Sequence, residues 1–208
     1  MTRNTKTKNL VLMGIMTAII FLMGLTPIGY VKTGTLSIAL ITIPVAIAAY
    51  ALGPVGGTVA GLAFGTTSAI MAFTAPSPLM VALTADSPVK VVVLCVVPRA
   101  LVGLCAGTIG YFMRKAKLPS AFAGGATGFS VAFLNTVFFM SSILFLFGNT
   151  ETVQSMKGHE NLLIFVFAVV SVNVVIEWIS CTVITSGVAA ALSAARLIDV
   201  PKSKAAAQ

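Results

Sequence analysis

Six long apolar stretches separated by short polar gaps run through this chain, at about 10–28, 36–52, 55–73, 89–113, 120–147 and 162–192. A transmembrane helix needs roughly 17 to 25 mostly apolar residues at 1.5 Å of rise each. Each stretch therefore predicts one membrane-spanning helix. Of the 13 basic and 5 acidic side chains, all but Arg99 and Glu177 lie between the stretches or at their ends. The pattern predicts an all-α integral membrane protein of six transmembrane helices, forming a single membrane domain over 1–208.

Punctuation along the chain supports these bounds. Basic residues followed by an apolar run imitate a signal peptide, but Thr26-Pro27-Ile28-Gly29-Tyr30 offers no small-x-small cleavage site, so the first span is expected to be retained. Pro44 is expected to kink the second span, and Gly53-Pro54 to turn tightly into the third. Residues 74–88 hold Pro76, Pro78, Asp86 and Pro88, which predicts a structured loop. Pro119 opens the fifth span. A polar loop at 148–161 carries Glu151, Lys157, His159 and Glu160.

Composition removes other classes. Among 208 residues, 58% are apolar and 9% charged, and the mean hydropathy is +1.04. A soluble domain carries about a quarter charged residues. The net charge of +8 would suggest nucleic acid in a soluble protein, but here the cations cluster at span ends: Arg3/Lys6/Lys8, Arg114/Lys115/Lys117 and Arg196/Lys202/Lys204. No basic stretch interleaved with aromatics is present to stack bases. These clusters place both termini and the 114–118 loop on the cytoplasmic side by the positive-inside rule. The loops near Lys32, Asp86 and Glu151 then face outward. Cys95, Cys105 and Cys181 all lie in apolar runs, at spacings of neither a disulfide framework nor a metal site.

Small residues recur every fourth position: Gly14/Ala18, Gly57/Gly61/Gly65, Gly103/Gly107 and Gly124/Gly128. In lipid, such stripes let helix backbones approach closely. Ordinary packing within the chain explains most of them. Gly14 and Ala18 differ in lying on the first helix, which can present them to a partner.

A charge or amide in hydrocarbon is expensive, so it marks a functional candidate. Arg99, Asn135 and Asn173 fall on the last three spans at a similar depth, roughly 15–18 Å below the outer edge. This predicts a pocket reached from outside. Glu177, four residues after Asn173 and on the same helix face, is placed to pair with Arg99 or to order the pocket floor. The alternative is that Arg99 and Glu177 only neutralise one another while the asparagines bridge helices. Trp178 and Tyr50 read as packing or interfacial anchors. No G-x-x-x-x-G-K-[ST] phosphate loop, H-E-x-x-H or G-x-S-x-G occurs, so a membrane enzyme is poorly supported.

The segments Ile43-Pro44-Val45, Leu52-Gly53-Pro54-Val55-Gly56-Gly57, Gly61-Leu62-Ala63-Phe64-Gly65-Thr66-Thr67-Ser68 and Pro98-Arg99-Ala100-Leu101-Val102-Gly103 resemble the substrate-binding S components of energy-coupling factor (ECF) vitamin transporters, most of all the pantothenate-type members. That resemblance covers essentially the whole chain. It implies a prokaryotic plasma-membrane subunit that captures a vitamin outside. A transmembrane coupling protein and two cytoplasmic ATPases would then drive uptake by toppling the loaded subunit. Cofactors are implied for those partners alone, as ATP with magnesium. It also implies docking on the coupling protein through Gly14-Ile-Met-Thr-Ala18, with glycine where alanine is usual. Substrate contacts are implied for Arg99, Asn135 and Asn173, with Lys90 at the entrance. One carboxylate, two hydroxyls and an amide make pantothenate a match for a cation and two asparagines. Riboflavin or another small vitamin is the alternative substrate; a stand-alone secondary carrier and a non-transporting scaffold are the alternative classes.

Overall fold

The computed structural model describes residues 3–26, 29–33, 36–150, 172–195 and 197–198. In chain order these form α1 (Arg3–Gly24), β1 (Tyr30–Thr33), β2 (Leu36–Ala39), α2 (Thr42–Thr74), α3 (Pro78–Asp86), α4 (Pro88–Lys115), α5 (Ser120–Phe147) and α6 (Val172–Ala194). Among the described residues, five helical segments are long and apolar enough to cross a membrane: Lys6–Gly24, Thr42–Thr74, Pro88–Lys115, Ser120–Phe147 and Val174–Ala194. The fold is the all-α membrane bundle that the hydropathy pattern predicts. Residues 162–171 of the predicted sixth span lie outside the described residues.

The 33-residue α2 is two arms rather than one rod. Gly53 stands at φ 72°, ψ −156°, a region that side chains with a Cβ avoid. Ala49 Cβ lies 3.3 Å from where a Cβ on Gly57 would stand, whereas eight residues of straight helix would separate them by about 12 Å. The chain therefore doubles back at Gly53. Pro54 opens the second arm, where a missing N–H costs nothing. This is the turn that the Gly-Pro pair predicts.

The second predicted span needs two corrections. Its first residues are not helical: β2 pairs antiparallel with β1, in the register Tyr30↔Ala39, Val31↔Ile38, Lys32↔Ser37 and Thr33↔Leu36. The helix starts only at Thr42, leaving an arm of about 16 Å, half the hydrocarbon thickness. Nor does Pro44 kink it. Pro44 sits in the first turn of α2, where backbone N–H groups have no intrahelical acceptor anyway. This short arm is the centre of the bundle, with every residue from Pro44 to Ala51 buried. A helix apolar all round suits that position. At its end Arg114 Nη1 donates to the Ala51 carbonyl at 3.0 Å, closing a helix C-terminus with a cation.

The second arm of α2 lies against α4 with backbone on backbone. A Cβ on Gly57 would run into the Gly103 carbonyl, and one on Gly103 into the Gly57 carbonyl. Residues 74–88, predicted as a structured loop, hold α3. Ser77 caps α3 by accepting from Met80 N at 3.4 Å, and Ser87 caps α4 by accepting from Lys90 N at 3.5 Å. Proline follows each cap at the start of its helix, as helix N-termini favour. On the other side, α5 packs on α6: Gly128 faces the Cys181 carbonyl and Thr185, and Gly124 faces Thr185 and Ala189.

Candidate functional site

Arg99 lies on α4, where Gly61 presses against its carbonyl. Its side chain is 8% exposed. The guanidinium sits over two rings, with its carbon 5.3 Å from the Phe64 centroid and 4.6 Å from that of Phe139. Nη1 donates to the Leu94 carbonyl at 2.8 Å, so the side chain points back along α4 towards its Pro88 end. An aromatic sandwich suits arginine, whose planar cation is weakly hydrated.

Glu177 faces the same interior from α6 and is also 8% exposed. One carboxylate oxygen accepts from the Ala39 N–H of β2 at 3.3 Å; the other is buried with no hydrogen-bond partner. The Arg99 charge acts on this carboxylate, yet among the described residues the ion pair closed to within 4.0 Å is Asp86–Lys90, at 3.8 Å. Simple mutual neutralisation by contact is therefore not the arrangement found. The Thr42 hydroxyl donates to the Ala39 carbonyl at 2.8 Å and lies against both Glu177 and Cys181.

Asn135 is half-buried on α5, its Oδ1 enclosed and without a partner. It is four residues from Phe139 and so shares a helix face with the ring under Arg99. The structure thus turns Arg99, Asn135 and Glu177 inward on three adjoining helices. The Asn173 side chain lies outside the described residues; its backbone is one turn before Glu177 in α6.

Lys90 is not in this interior. It stands near the start of α4, with Nζ 5.6 Å from the Phe147 centroid. Together with Asp86, Leu144, Phe145, Leu146, Gly148, Asn149 and Thr150 it lines a cavity of about 460 Å³. The cavity opens at the Pro88 end of α4, next to the level towards which Arg99 points.

Two contributors, Thr42 and Ala39, escape a reading of the sequence. Thr42 links the hairpin to Glu177 and Cys181, and its one sequence signal is that it is the sole polar residue between Ile38 and Tyr50. Ala39 acts through its backbone, which no side-chain pattern reveals. Trp178, read as an anchor, packs edge-on to Phe129 at 5.8 Å and Phe133 at 5.4 Å between centroids, with Nε1 buried and unpartnered. The first-helix pair is also resolved. Gly14 and Ala18 are both exposed, and nothing lies within 4 Å of a Cβ built on Gly14.

Among the described residues, Arg99 and Glu177 are both buried in the bundle without closing on one another to within 4.0 Å. The family model for the ECF transporter, substrate-specific component, matches residues 8–189. The chain belongs to this family. It is accordingly a substrate-binding, multi-pass membrane subunit of an ECF transporter, a role of binding and transport rather than catalysis. Comparison with curated proteins gives no match.

Proposed function

We propose that this subunit captures a small anionic vitamin of the pantothenate type at the outer face of a prokaryotic plasma membrane, for uptake driven by partner subunits. Arg99 is the observation that carries the reading. A guanidinium offers paired donors to a carboxylate, and the rings of Phe64 and Phe139 hold its plane in place. Asn135, Asn173 and Glu177 supply groups for hydroxyls and an amide. Lys90, in the cavity at the Pro88 end, draws the anion towards the entrance. Riboflavin, the alternative, would use the Phe129–Phe133–Trp178 cluster for stacking but brings no anion for Arg99.

ATP and magnesium belong, on this reading, to two cytoplasmic ATPases joined through a transmembrane coupling protein. The bare Gly14/Ala18 face supports a close helix contact with that protein. Both termini are cytoplasmic in this orientation.

Calorimetry on the purified chain tests the substrate. Pantothenate is expected to bind the wild type, and Arg99→Ala to weaken it at least tenfold, about 1.4 kcal/mol. Unchanged affinity in Arg99→Ala removes Arg99 from the site. Absence of binding by the wild type removes pantothenate.

A further inference from the structure

Among the described residues, three polar atoms on α5 and α6 are buried with no hydrogen-bond partner: Asn135 Oδ1, Glu177 Oε1 and Trp178 Nε1. Buried polar atoms are normally satisfied, because water lost on burial must be replaced. Glu177 is the sharpest case, since a carboxylate more than nine-tenths buried keeps a whole oxygen unmatched. Asn135 Oδ1 cannot relieve it. Both atoms are acceptors.

Helix register brings Asn135 and Glu177 to a similar level, with Trp178 on the other side of α5. Gly124 lies against Ala189 and Thr185, and Gly128 against Thr185 and Cys181, so α5 and α6 run antiparallel. One further turn along α5 brings Ala132 level with Glu177 and Trp178, and Asn135 follows within the next turn. Trp178 meets α5 at Phe129 and Phe133, which agrees with that register. Asn135 also shares its face with Phe139 beneath the Arg99 guanidinium. The unmatched acceptors of α5 and α6 therefore form one wall, next to the hairpin and facing the side of the bundle where α4 carries its cation.

We propose that this wall reads hydrogen-bond donors on the bound vitamin: Glu177 Oε1 and Asn135 Oδ1 accept from its hydroxyl or N–H groups. The inference rests on the vitamin-binding reading above and narrows its substrate class. Arg99 alone would hold any small acid. Two orphaned acceptors penalise an acid that brings no donor, because it would seal them off unpaired. The selected solute carries donors along its body, away from the group that Arg99 holds.

The test is calorimetric, on the full chain in lipid nanodiscs. The probes are pantothenate, biotin and riboflavin, which carry hydroxyl or N–H donors, and lipoate and nicotinate, which are carboxylates without them. Binding is expected among the first three, with both donor-free acids at least tenfold weaker than the best of these. Glu177→Gln and Asn135→Ala, each verified as folded by its elution profile and thermal unfolding, are expected to weaken that best probe about tenfold and about fivefold. Both variants should instead tighten lipoate or nicotinate binding, because the unpaired acceptor that penalised those acids is gone, an opposite change that a merely structural role would not produce. Lipoate or nicotinate binding as tightly as the best donor-bearing probe overturns the inference while leaving a vitamin site intact. So does wild-type affinity in both variants. No binding of any of the five overturns the vitamin-binding reading itself, and the inference with it.

Discussion

Arg99 is informative because of what encloses it. Its charge is legible in the sequence, since a cation in the middle of an apolar run stands out against the cost of placing it there. The rings that flank it are not, because Phe64 and Phe139 are two of 13 phenylalanines in an apolar chain, and only packing selects them. The enclosure yields a prediction that charge alone does not. Arg99→Lys keeps the cation but loses the planar stack and the paired donors. It is expected to weaken pantothenate binding about tenfold, roughly 1.4 kcal/mol; wild-type affinity by calorimetry would show that charge suffices. Glu177 was equally visible as an intramembrane carboxylate. Its hold on the Ala39 N–H was not, since a backbone donor leaves no mark in the sequence.

At the level of elements, the sequence is most legible where a span is a plain helix. The fifth apolar run and α5 share their bounds, 120–147, because proline opens the helix and Gly148 follows it. The second run misleads. Apolarity over 36–52 suits a buried strand as well as a helix, and periodicity cannot separate the two in so short a segment. The α2–α4 contact offers a sharp test of packing. Gly103→Val places side-chain atoms against the Gly57 backbone, and separating the helices should lower the thermal unfolding temperature in detergent by several degrees. Gly187→Val, where nothing lies within 4 Å, is the matched control and should leave it unchanged. Gly53→Ala forces a Cβ into a positive-φ conformation that only glycine readily adopts (φ 72°, ψ −156°), at a cost of about 1–3 kcal/mol. The same melting assay should show a smaller loss than Gly103→Val.

For the whole molecule, binding and transport should separate. The interior of Arg99, Asn135 and Glu177 belongs to α4, α5 and α6, whereas Gly14 and Ala18 lie on α1, with open space beside Gly14. Gly14→Leu is therefore expected to leave pantothenate affinity within about twofold while abolishing uptake in vesicles that hold the complete transporter. Continued uptake would refute the docking role.

The hairpin carries a consequence for how evenly this protein resists opening. Where the central arm stops short, two four-residue strands precede it in the chain, joined to α6 by the Ala39 N–H, which donates to the Glu177 carboxylate. Breathing of that patch needs few bonds to break, whereas prising α2 from α4 would expose interlocked backbones. Amide protons of residues 30–33 and 36–38 should thus trade for deuterium orders of magnitude sooner than those of 57–65. Glu177→Gln should hasten the first group and leave the second untouched.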